Sequence, residues 1–218
     1  MEEIKEVEEK EPWYKGPIKY ILGIFLLLLI VLMILPSYTV KLDPEPKRIA
    51  TVEEVLLTDV VLSNESFTLK TRQDFIEFLD PNDPVIKQAA DRIVTIGCEY
   101  SRVCNAKAIY YFVRDNIQYV SDPVNFEYIE EPKEVLVTQS GDCESGTMLM
   151  ASLFESIGID AEIVFIPGHA FLRIKLDEAL KRYKRDNYVY LDWTCKSCSF
   201  GEIPMKNVNV KKEVLDVY

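Results

Sequence analysis

A chain of 218 residues has room for one domain of ordinary size plus an anchoring segment, and not for two large domains. With 48% apolar residues it can fill a packed core, which argues against wholesale disorder. A formal net charge of −11 repels phosphate backbones and speaks against nucleic acid as a partner, and a single histidine excludes HExxH zinc sites and any site needing two imidazoles.

The first 17 residues form a polar tail rich in Glu and Lys. Residues 18–40 read as a transmembrane helix. The run YILGIFLLLLIVLMIL from Tyr20 to Leu35 holds no charge, and with its flanks it can cross roughly 30 Å of hydrocarbon. Trp13, Tyr14, Tyr20 and Tyr38 occupy interfacial positions. No small-x-small cleavage motif follows, and the lack of polar positions separates the run from a buried core helix. Lys15 and Lys19 on one side balance Lys41, Lys47 and Arg48 on the other, so loop charge sets no orientation. The sequon Asn64-Glu65-Ser66 makes Asn64 a glycosylation candidate, and two closely spaced cysteine couples suit an oxidising compartment. The expectation is a single-pass protein of the cell membrane, with the lipid bilayer as a partner and an extracytoplasmic soluble domain.

Residues 41–80 form a proline-containing lead-in, in which 53–62 and 67–79 are ambiguous between strand and helix. Pro81-Asn82-Asp83-Pro84 marks a break and a helix start capped by Asp83, and the main domain is expected over 81–218. Ile86, Ala89, Ala90, Ile93 and Val94 recur at helical spacing and predict a helix over 85–96. A second helix is expected over 105–115, a short extended piece over 117–120, and a loop punctuated by Pro123 and Pro132. Residues 134–138 lead into Gly141-Asp142-Cys143 and a strongly apolar helix over 142–157, which Gly158 ends. Residues 161–166 and 170–174 read as strands, 177–184 as a helix and 188–193 as a third strand. Helices first and an antiparallel sheet after them make an α+β fold.

Three residues stand where they can do chemistry. Cys143 follows a Gly-Asp turn and opens a helix, whose amides favour a thiolate and offer the Cys143 N–H to an oxyanion. His169 opens a strand after Pro167-Gly168, and Asp192 closes one, where a carboxylate can hold an imidazole in one tautomer. Taken singly, each has an ordinary reading: a buried cysteine, a packed histidine, a strand reaching the surface.

Together, the stretches GDCESGTMLMASLFESIGIDAEIVFIPGHAFLRI and YLDWT, with AKAIYYFVRDNIQYVSDP upstream, resemble the transglutaminase-like superfamily over about residues 81–204. PGHAF and FGEIP look most like archaeal membrane-attached members. Trp193 is a departure, since the family usually has proline there. The resemblance implies a transglutaminase-like (papain-like) domain. It also implies a catalytic set of Cys143 as nucleophile, His169 as general base and then acid, and Asp192 as its orienter. The Cys143 N–H, with the Gln139 or Gln118 side chain, is the candidate oxyanion site. The expected activity is a membrane-anchored cysteine peptidase or amidase acting on protein or peptide through a thioester. The alternatives are a cross-linking transglutaminase, a non-catalytic binding module with this fold, or a subunit docked to a membrane-protein partner. No cofactor is called for. Cys98, Cys104, Cys195 and Cys198 read first as disulfides, with a four-cysteine zinc site as the alternative.

Overall fold

The structure is a computed structural model that describes residues 16–56, 60, 62, 74–122 and 128–217. Asn64 and most of the N-terminal tail therefore lie outside the described residues. The chain divides into two compact units between Leu42 and Asp43. The first is built on α1 (Ile18–Leu42), whose stretch Ile18–Leu35 is long and apolar enough to cross a membrane, a property shared with signal sequences.

The second unit begins with short helices, α2 (Val52–Val55) and α3 (Asp74–Phe78). The helices α4 (Pro84–Gly97) and α5 (Arg102–Asn116) follow. Asp83 caps α4 by accepting from the amides of Val85 and Ile86, with Pro84 in the first turn where no amide is missed. Ser101 caps α5, which starts three residues before the expected Asn105 because the hydroxyl takes the Cys104 amide. The strand β1 (Gln118–Tyr119) comes next, then α6 (Pro132–Thr138) and β2 (Ser140–Gly141), which pairs in parallel with β1. The helix α7 (Cys143–Ser156) starts on Asp142, whose carboxylate accepts from the Ser145 amide at 2.8 Å.

The remaining strands are β3 (Ala161–Ile166), β4 (His169–Ile174), β5 (Lys184–Arg185), β6 (Tyr188–Leu191) and β7 (Glu213–Asp216). They form one antiparallel sheet in the order β5-β6-β4-β3-β7. A short helix α8 (Met205–Val208) lies between β6 and β7. The helix expected over 177–184 reduces to a single 3-10 turn, Lys181–Tyr183. Asp186 and Asn187 both take positive φ, 51° and 67°, which makes a two-residue hairpin turn and draws Lys184 and Arg185 into the sheet.

The helix α7 is buried from Ser145 to Phe154, packed between α4, α5 and α6 and the sheet strands β3 and β4. Buried on every side over this stretch, it is a core helix. Ala161, Ile163 and Phe165 of β3 and Ala170, Leu172 and Ile174 of β4 join that core. The other residues of these strands face a smaller cluster, where Val164, Ile166, Phe171 and Tyr190 pack under Ile203.

Lys107 is fully buried on α5, with Asp43 Oδ1 at 2.6 Å, Glu45 Oε1 at 2.5 Å and the Tyr183 ring centroid at 5.0 Å. Burial disfavours its charge, but the two carboxylates together outweigh that and raise its pKa. An ammonium so placed depends on its partners. Asp43→Ala is expected to destabilise the fold by about 3 kcal/mol, and Lys107→Met, which removes the charge itself, by less. Thermal melts of the full chain in detergent micelles check the order.

Candidate active site

The turn from β3 to β4 is only Pro167 and Gly168. Proline supplies the φ of the first turn position, and Gly168 takes the second at φ 71°, where a side chain would be strained. This pins His169 to the first position of β4, opposite Ile166. The strand β6 runs antiparallel beside it, with Leu191 opposite Leu172, so the end of β6 lies near the start of β4. Asp192 follows and is fully buried. Its Oδ2 is 2.9 Å from His169 Nε2, and its Oδ1 accepts from the Thr194 hydroxyl at 2.7 Å and the Thr194 amide at 3.2 Å. Nε2 is therefore the ring nitrogen turned to Asp192, and Nδ1 is the one left outside this bond.

Cys143 is the first residue of α7, buried, and the one free cysteine. The Ala170 amide, adjacent in sequence to His169, favours its thiolate by hydrogen bonding. The Trp193 indole N–H donates to the Cys143 carbonyl at 3.5 Å. The same indole lies on Gly146, where an added Cβ would come within 2.2 Å of the ring. His169 and Asp192 are thus bonded to each other, and Cys143 is tied to the same two strands through the Trp193 indole and the Ala170 amide.

The thiol is not acidified there. Its sulfur donates to the Glu144 carboxylate at 2.9 Å. Burial pushes the Cys143 thiol up, the Glu144 bond and charge push the same way, and Asp142 adds to them. This corrects the expectation from the helix N-terminus. That expectation weighed the amides of the first turn, whereas depth of burial and the carboxylate on the next residue decide the outcome.

Two more carboxylates stand near the first turn of α7. Burial pushes Glu130 up to about 7, with Asp142, Glu134 and Asp122 contributing. Burial also pushes Asp142 up to about 6, with Glu144 contributing. The Glu130 amide donates to Ser145 Oγ at 3.2 Å, which seats this residue against the first turn of α7. Sequence reasoning left 123–132 as a loop and missed Glu130; no periodicity marks it. Ligand atoms of Asp142, Cys143 and Glu144 fall within 4.8 Å of one another, the one such group among the described residues. They are already engaged, Cys143 with Glu144 and Asp142 with the Ser145 amide.

Gln118 and Gln139 are both exposed, joined by the Gln118 amide donating to the Gln139 carbonyl at 2.7 Å. Neither side chain contacts the thiol among the described residues. Their neighbour Tyr119 lies at the site instead. Its ring is 6.3 Å from that of Trp193, and its phenol is pushed up by burial and by Cys143 and Asp142. Tyr119, His169, Asp192 and Cys195 line one cleft of about 750 Å³. The cysteine couples are closed within themselves, Cys98 to Cys104 and Cys195 to Cys198. This takes up the four sulfurs that a zinc site would need, and no bridge joins the couples.

Residues 87–193 match the family model of the transglutaminase-like superfamily. The second unit carries a transglutaminase-like domain. No curated protein and no solved structure matches the chain. The matched part of the transglutaminase-like domain runs from within α4 to Trp193, so it contains Cys143, His169 and Asp192 and leaves α1, α8 and β7 outside.

Glu144→Gln removes a charge that keeps the thiol neutral. Labelling of Cys143 by iodoacetamide at about pH 7.5, followed by mass spectrometry, is expected to speed up about tenfold. Glu130 has a folded pKa of about 7, above the ordinary value of about 4.3. The native state therefore holds more protons than the unfolded state between those values, and this group's contribution to stability is lost as pH rises through that window. Glu130→Gln is expected to lose less melting temperature than the wild type between about pH 4.5 and pH 7.5, as read by melts at both ends.

Proposed function

We propose that the protein is a membrane-anchored cysteine hydrolase that cleaves amide bonds in proteins or peptides through a thioester, with Cys143, His169 and Asp192 as its catalytic residues. The observation that carries this reading is the 2.9 Å bond between His169 and a fully buried Asp192. It fixes the imidazole with Nε2 toward Asp192 and Nδ1 available for the thiol's proton, and the next amide of the same strand, Ala170, favours the Cys143 thiolate.

In this reading the thiol exchanges its bond to Glu144 for one to His169 and gives up its proton. The sulfur then attacks the amide carbon, and the Cys143 N–H meets the oxyanion. The C–N bond breaks as the imidazolium protonates the leaving amine. Water, deprotonated by His169, then cleaves the thioester and releases a carboxylic acid. Water is taken as the acceptor because it needs no dedicated site. A primary amine in its place would make the protein a cross-linking enzyme. The disulfides and the apolar α1 support an anchored domain on the extracytoplasmic side.

One observation favours a second reading, a binding module with the same fold but no turnover: the thiol is buried and bound to a carboxylate. Labelling separates the two. For the hydrolase, iodoacetamide modification of Cys143 is expected to slow at least tenfold in His169→Ala, with a smaller loss in Asp192→Asn. Equal, slow modification in the wild type and His169→Ala sinks the hydrolase. Incubation with casein and a fluorescent primary amine then separates hydrolysis, seen as new termini, from incorporation of the amine.

A further inference from the structure

The cleft that opens from His169 is bounded on one side by the Pro167-Gly168 turn and on the other by residues from Pro204 to Val210. Its charge runs against that of the chain. The protein carries −11 overall, yet the lysines on this cleft, Lys196 and Lys206, face no free carboxylate within it, since Asp192 is engaged by His169 and Thr194. Lys196 is held back, its ammonium donating to the carbonyls of Arg114 and Ile117. Lys206 is exposed and makes no ion pair among the described residues.

Beside it stands Asn207, only 6% exposed. Its side-chain amide has no hydrogen-bond partner among the described residues, although it lines the cleft. Its polar atoms are not sealed from water, since Ser152 Oγ is the one side-chain nitrogen or oxygen among the described residues both buried and unpartnered, so the amide offers a donor and an acceptor to whatever enters the cleft. A main-chain peptide group presents the complementary pair. Ile166, Pro167, Pro204 and Val210 supply apolar contact around it.

We propose that this cleft binds an extended polypeptide segment bearing an acidic side chain. Asn207 hydrogen-bonds a peptide group of the segment, and Lys206 pairs with the carboxylate. That the segment is the substrate rests on the hydrolase reading; its binding does not require the thiol. At about 0.15 M salt, charges further than roughly 8 Å are screened. Lys206 therefore acts on a ligand beside it, while Asp142 and Glu144 act on Tyr119 of the same cleft and the remaining acidic surface is screened.

The test is fluorescence anisotropy on the full-length Cys143→Ala variant in detergent micelles at that salt. The probes are two fluorescein-labelled ten-residue peptides of one alanine, valine and serine sequence, carrying two glutamates or two lysines at the same positions. The glutamate peptide is expected to bind about tenfold more tightly. Lys206→Glu is expected to reverse the order, and Asn207→Ala to weaken both peptides about fivefold. Equal affinity for the two peptides overturns the proposal, as does a preference that survives Lys206→Glu. So does an Asn207→Ala protein that melts like its parent and binds both peptides unchanged. Because binding is read without the thiol, an inert Cys143 would remove the hydrolase and leave the cleft selective, whereas an unselective cleft would leave the hydrolase untouched.

Discussion

A carboxylate with no access to water must be surrounded by donors, and Asp192 is such a group. Left unpaired it would cost several kcal/mol. Oδ1 takes both donors of Thr194 and Oδ2 takes His169, so the burial of one side chain dictates the orientation of the imidazole. The backbone there is tied as well. The Tyr110 hydroxyl reaches the carbonyls of Asp192 and Cys198, and Arg114 also donates to Cys198. Helix α5 thus grips the end of β6 and the small loop closed by Cys195 and Cys198. The His169 ring is positioned by a chain of contacts that begins in the helical layer and ends in the sheet.

Around the thiol two electrostatic influences oppose each other. The Ala170 amide favours the anion. Burial and the carboxylates of Glu144 and Asp142 favour the neutral form, and they prevail. Tyr119 and Trp193 lie over the same corner. The carboxylates stand at the first turn of α7, while the lysines stand on the cleft that His169 shares. The two sides of the site therefore differ in sign, which suits a ligand presented in one direction only.

Much of this arrangement is legible in the amino-acid order. The spacing of Ile86, Ala89, Ala90 and Ile93 announces α4, and Asp83-Pro84 its first turn. The strongly apolar stretch after Cys143 announces a buried helix, and Pro167-Gly168 places His169 at a strand start. These are local signals, carried by periodicity and by the φ preferences of single residues. The helix expected over 177–184 gives way to a single turn because the pairing of Lys184 and Arg185 with Val189 and Tyr188 overrides the propensity of a stretch rich in good helix formers. The strand β7 has mostly exposed, mixed residues and exists because β3 offers it an edge. The partners of Lys107 and the electrostatics of Cys143 depend on contacts between distant segments, which no spacing encodes.

The Trp193 indole occupies the space above Gly146 so fully that even a methyl group would collide with it. The two positions therefore cannot grow together. In any lineage descended from this chain the tryptophan must shrink before the glycine can be replaced, and once a larger residue fills the helix the way back to an indole is closed. Substitution here is directional, and the order of the two steps is written into the packing.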